Sequence, residues 1–108
     1  MIKLLKFLMS YLMPKSHSLK LSCGWYCDPI RTYRVLLSGN CDELLDKRES
    51  EDVNVWHEAE TKLCRLIREA FQAPEFDPKT GRGWTDEVCL NALQEFLDYI
   101  EGKGQGGR

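Results

Sequence analysis

The chain has 108 residues, 43% of them hydrophobic, with 15 basic against 17 acidic side chains. That length holds one small domain, which excludes a cofactor domain paired with a substrate domain. The composition excludes wholesale disorder, and a net charge of −2 excludes a polycation built to coat nucleic acid.

The charge is unevenly placed. Residues 1–40 carry six basic groups against Asp28 alone, a net of +5, while residues 41–108 carry nine basic and sixteen acidic groups, a net of −7. Complementary halves attract each other within one fold, and a basic front end without an aromatic-basic motif is a weak nucleic-acid signal. The five cysteines are Cys23, Cys27, Cys41, Cys64 and Cys89. An odd count cannot pair fully within one chain, so a reducing cytoplasm is the expected compartment.

In chain order, residues 1–13 (MIKLLKFLMSYLM) are apolar apart from Lys3, Lys6 and Ser10. The run is far short of the ~20 residues a spanning helix needs. Lys6 interrupts it and no small-x-small cleavage site precedes Pro14, which argues against a signal peptide. The segment reads first as an amphipathic docking helix for the domain or a partner. A membrane-surface anchor, or an extension upstream of a start at Met13, are the other readings. Residues 14–101 form the domain, opening on the polar linker Pro14–Ser18, and residues 102–108 are a glycine-rich tail.

Leu19-Lys20-Leu21-Ser22-Cys23 alternates with the strand period, and Thr32–Leu37 is rich in β-formers. These predict strands over about 18–27 and 31–37, paired through a turn at Asp28-Pro29. Asn40 and Glu43 have the spacing of a helix N-cap with its reciprocal partner, opening a short helix with Leu44 and Leu45 on its apolar side. Val53, Trp56, Ala59, Leu63, Leu66, Ile67 and Ala70 recur at helical steps, predicting a helix over about 51–72, capped by Ser50 and stopped by Pro74. After a loop with two prolines and two glycines, Thr85 caps a last helix with Cys89, Ala92, Leu93, Phe96, Leu97 and Ile100 on one face, ended by Gly102. Residues 51–101 therefore read as an antiparallel helical hairpin. The fold class is α+β: an N-terminal β-hairpin, a short helix, then that helical pair.

Each candidate for chemistry has a plainer reading beside it. Cys23-x3-Cys27 with Cys41, and His17 or His57 as a fourth ligand, would make a thiolate zinc site. No second tight cysteine pair supports it, and two residues four apart on a strand simply share a face. His57-Glu58 opens like a zincin helix but residue 61 is threonine, so the second imidazole is missing. Asp77–Gly83 offers Lys79 and Gly81 where a calcium loop needs side-chain oxygens. Gly81-x-Gly83 before a helix could hold an anion with Lys79 and Arg82, but it reads first as a turn. No spacing selects a nucleophile with a base, so no catalytic residue is assigned.

Three tryptophans are many for this length. Trp56 lies in a helix stripe and reads as core. Trp25, Phe76 and Trp84 lie in turns and loops and are the candidate interaction anchors. The sequence points to a non-enzymatic interaction module or assembly adaptor without a cofactor, partnered by protein or by a copy of itself. The alternatives are a zinc-stabilised nucleic-acid module using Cys23, Cys27 and Cys41, and a peripheral membrane protein anchored, not spanning, through residues 1–13.

Overall fold

The computed structural model describes residues 18–101. The apolar segment 1–13, His17 and the 102–108 tail lie outside the described residues. An antiparallel hairpin pairs β1 (Leu19–Lys20) with β2 (Tyr26–Cys27), and four helices follow: α1 (Pro29–Ser38), α2 (Cys41–Lys47), α3 (Val53–Phe71) and α4 (Asp86–Ile100). This is the α+β class expected, with the hairpin at the N-terminal side.

The hairpin is shorter than its alternation suggests. Leu19 and Cys27 face inward, while Lys20 sits over the exposed Tyr26 ring at 5.8 Å. The reversal lies at Leu21–Trp25, where Gly24 takes φ +93° and its N–H donates to the Leu21 carbonyl at 2.9 Å.

The strand expected over 31–37 is a helix. Asp28 caps it, its carboxylate accepting from the N–H groups of Ile30 at 3.1 Å and Arg31 at 3.5 Å. Pro29 occupies the first turn, where its missing N–H costs nothing and its fixed φ already suits a helix. Pro29, Thr32, Tyr33 and Leu36 then form one buried face at three- and four-residue steps. A start signal and a buried stripe outweigh the β-propensity of Thr32, Tyr33 and Val35, which is a weak local preference.

Two caps also differ from expectation. Asn40 takes the left-handed conformation (φ 61°) and makes no side-chain cap bond, while Glu43 pairs with Lys47 at 3.3 Å. At α3 the cap is Asp52, accepting from the Asn54 N–H at 2.9 Å, and the Ser50 hydroxyl instead accepts from the Asp52 N–H. Thr85 caps α4 as expected, through Val88 N–H at 3.2 Å.

The α3 helix is the hub. The α1 and α2 helices lie along it in opposite sense: Thr32 bonds the Ala70 carbonyl at 3.2 Å, and further on Arg48 reaches Glu60 at 3.8 Å. Early residues of α1–α2 thus meet late residues of α3, and later meet earlier. Against α4 the order is different. The Cys64 thiol meets Cys89, and Phe71 meets Phe96 edge-on at 5.9 Å. Arg68 nevertheless bridges back to Asp86 at 3.1 Å, so α4 crosses α3 obliquely. Cys89, Ala92, Leu93, Phe96, Leu97 and Ile100 are all buried, which is the whole apolar face read from the sequence.

The loop between α3 and α4 closes on itself. The Asp77 N–H donates to Arg82 at 2.7 Å, the Gly81 N–H to Asp77 at 2.8 Å and the Trp84 N–H to Pro74 at 3.0 Å. Trp84 is thereby pressed onto Phe71 and Trp25, with ring centroids 5.5 Å and 5.7 Å away.

Candidate interaction surface

A groove of about 610 Å³ runs between α2 and α4, lined by Leu45, Arg48, Glu49, Leu90, Asn91, Leu93, Gln94 and Leu97. Its position follows from helical spacing. Residues 90, 93, 94 and 97 form one row on α4, beside the row that faces the core. Leu93 and Leu97 are buried as the floor, Leu90 is half-buried at the edge, and Asn91 and Gln94 stay exposed. Leu45 supplies the facing wall, because α2 turns Cys41 into the core and leaves Leu45 half-buried beside it.

The walls are acidic. α4 carries Asp86, Glu87, Glu95 and Asp98 with no basic residue, and α2 carries Asp42, Glu43 and Asp46 against Lys47. Of the lining residues themselves only Arg48 and Glu49 are charged, and they have opposite sign. A leucine floor with amide and carboxylate margins suits an amphipathic helix with a basic edge. The turn between β1 and β2 packs beside α4. Ser22 donates to the Glu95 carboxylate through its N–H at 2.9 Å and through its hydroxyl, and Glu95 follows Gln94 directly.

A second apolar exposure lies at the start of α3. Val53 is 63% exposed and Val55 37% exposed. Trp56, expected in the core, is half-buried with its ring against His57 at 6.0 Å. The stripe along α3 therefore meets the core only from Ala59 onward.

The three anchors read from the sequence separate. Trp84 is buried in an aromatic cluster with Phe71 and Trp25, so among the described residues it belongs to the core. Trp25 is half-buried, and its indole N–H donates to the Phe71 carbonyl at 2.8 Å. Phe76 alone stays open, at 39% exposure.

The cysteines are not gathered. Cys23 is exposed, while Cys27 and Cys41 are buried at separate places in the core. Among the described residues no group of three or more His, Cys, Asp or Glu side chains could hold a metal ion. Burial, with the Asp42 carboxylate second, pushes the Cys41 thiol up to about 12, and burial likewise raises Cys27. His57 is exposed on α3, and His17 falls outside the described residues. The glycine loop uses its own N–H groups: Lys79 donates to the Asp77 carboxylate at 2.9 Å, and Arg82 to the Thr80 hydroxyl at 3.3 Å. Those donors are not turned toward an anion.

Sequence reasoning missed the groove-lining Arg48, Glu49, Asn91 and Gln94. One signal was present: Leu90 is a large apolar residue off the main stripe of α4, which widens that helix's apolar arc beyond what one core face needs. Among the described residues no helix is long and apolar enough to cross a membrane. No family model, curated protein or solved structure matches the chain.

Proposed function

We propose that the protein is a small non-enzymatic interaction module whose α2–α4 groove takes a basic-edged amphipathic helix. The observation that carries this reading is the leucine floor between two acid-rich helices. The chain itself supplies a segment of the complementary chemistry. Residues 1–13 combine Lys3 and Lys6 with Leu4, Leu5, Phe7 and Leu8 and contain no acidic residue. Assembly between copies, each offering its N-terminal segment to a neighbour's groove, is the simplest use of both features. The groove's lining offers leucines and amides rather than a nucleophile beside a base, which favours binding over catalysis. A reducing cytoplasm is the compartment assigned, because all five cysteines are unpaired thiols and four are buried as small apolar residues.

Sedimentation velocity of the full chain across a concentration series tests the proposal. The expected result is association that grows with concentration and weakens severalfold as salt rises, because the opposed charges are near the surface. Asn91→Lys sits on an exposed position and sets a positive charge on that wall, so it should also weaken association without unfolding the chain. A monomer at every concentration, or association indifferent to Asn91→Lys, overturns the reading.

A further inference from the structure

The α3–α4 seam holds a pair of thiols that the proposed interaction does not use. Arg68 ties the two helices at one point. Its guanidinium donates to Asp86 at 3.1 Å and to the Trp84 carbonyl at 2.7 and 3.1 Å. Cys64 lies one turn before Arg68 on α3, and Cys89 lies three residues after Asp86 on α4. Both are therefore on the faces that the tie brings together. The two thiols are hydrogen-bonded to each other, and each is almost wholly buried, at 1% and 0% exposure.

We propose that Cys64 and Cys89 are a covalent modification site, oxidised by a hydroperoxide to a disulfide that clasps α3 to α4. Their shared hydrogen bond divides the roles. Cys89 is lowered, first by the bond from Cys64 and further by the Arg68 charge, whereas Cys64 is raised, first by that same bond and then by burial. Cys89 is accordingly the sulfur that ionises and attacks. Its thiolate takes one oxygen of the peroxide, the O–O bond breaks, and the other oxygen leaves as alcohol or water after protonation. The resulting sulfenic acid on Cys89 is attacked by the Cys64 sulfur. The S–S bond forms, the S–O bond breaks, and the departing hydroxide leaves as water with the Cys64 proton. Two thiols lose two electrons and the peroxide gains two.

Access follows from the tie. Asp86 is 67% exposed at its side chain, and Arg68 and Asp86 line a shallow cavity of about 420 Å³ on the outer surface. The oxidant reaches the thiols when this tie, the Arg68–Asp86 pair with the two Arg68 bonds to the Trp84 carbonyl, opens locally. Local opening of one seam costs less than global unfolding.

The test uses the reduced full chain treated with hydrogen peroxide, then mapped by mass spectrometry of peptides under non-reducing conditions. The expected product is the Cys64 peptide joined to the Cys89 peptide within a monomer. It should be reversed by dithiothreitol and form equally in Cys23→Ser, since Cys23 is the exposed thiol. The linked form should melt higher by roughly 10 °C, because the bond closes a loop in the unfolded chain. Products linked only through Cys23, sulfinic acid on Cys64 or Cys89 without a link, or a lower melting temperature in the linked form would each overturn the proposal. The wild-type map decides the matter even if a Cys64 or Cys89 variant fails to fold.

Discussion

Replacing Gly83 by alanine should destabilise the domain far more than replacing Gly81, two residues earlier in the same loop. Both glycines have left-handed backbone, φ +97° at Gly83 and +75° at Gly81. That conformation costs an L-residue about 1–2 kcal/mol. At Gly81 a new Cβ meets nothing within 4 Å, so Gly81→Ala should cost about 1 kcal/mol and little more. At Gly83 the same Cβ would stand 2.0 Å from the Glu75 carbonyl oxygen and 2.6 Å from its carbon. Those are backbone atoms with no flexible tip to swing aside. Relief requires the loop to open, which loosens the Trp84 N–H bond to Pro74 at 3.0 Å and the Asp77 N–H bond to Arg82 at 2.7 Å. Each lost bond is worth about 1 kcal/mol net, so Gly83→Ala should cost about 3–4 kcal/mol. A small domain has about 5–10 kcal/mol in all. Urea unfolding followed by tryptophan fluorescence reads both variants, and reports on Trp84 and Trp25 directly. If Gly83→Ala costs no more than Gly81→Ala, the close approach of the two loop arms is wrong, and with it the account of how Trp84 is held.

Three further outcomes are expected. The buried Tyr33 hydroxyl has no hydrogen-bond partner among the described residues, so Tyr33→Phe should leave stability unchanged or raise it by about 1 kcal/mol in chemical denaturation. A loss above 1 kcal/mol would mean that the hydroxyl is bonded from outside residues 18–101. Asp28→Ala should cost about 1 kcal/mol by removing the α1 cap, with Asp28→Asn retaining most of it, and circular dichroism on melting measures both. For pH, the Cys41 thiol stands at about 12 when folded against 9.0 for a free thiol. Between those values the unfolded chain has released a proton that the folded chain keeps. The folded state's advantage is thus whole below pH 9 and falls above it, by about 1.4 kcal/mol per pH unit for this group. Burial raises Cys27 and Tyr33 in the same direction. Urea titrations with reductant at pH 8 and pH 10 should show the decline, and Cys41→Ala should make it shallower.

How far the sequence foretold this arrangement depended on which physical signal each segment carried. α4 was read almost whole, because its six inward residues keep the helical period and Thr85 both starts and caps it. Along α3 the same period marked the right face but not where that face is covered. Val53 and Trp56 share the stripe, yet among the described residues Val53 is exposed and Trp56 only half-buried, and periodicity holds no information about neighbours. α1 was misread because side-chain propensity was weighed above the Asp28-Pro29 start signal. Asn40 fits a cap by spacing, but the turn joining α1 to α2 takes it left-handed, which asparagine tolerates. Trp84 reads as a candidate anchor because it lies in a loop. Gly83 lets this loop fold back tightly enough to bury it. The groove was least legible, since Leu45 and Leu90 become neighbours only through the packing of two distant helices.

The two ends of α3 are built differently, and this difference argues for where a partner can act. The last carbonyls of a helix have no acceptor role within it and need outside donors. At the C-terminal end of α3 three other residues supply them. Arg31 donates to Ala70 at 2.9 Å and Glu69 at 3.4 Å, Thr32 to Ala70 at 3.2 Å, and the Trp25 indole to Phe71 at 2.8 Å. The Arg31 charge is also favourable against the negative end of the helix dipole. The hairpin, α1 and the aromatic loop are all fastened at that end. The N-terminal end has its Asp52 cap and the half-buried Arg48–Glu60 pair at 3.8 Å, with Val53 and Val55 open to solvent. One ion pair at that separation is a weaker fastening than the several hydrogen bonds at the other end. The α2–α4 groove borders this looser end, since Leu45, Arg48 and Glu49 line it just ahead of Val53. A partner helix seated there would cover apolar surface without dismantling any of the donors that hold the other end together.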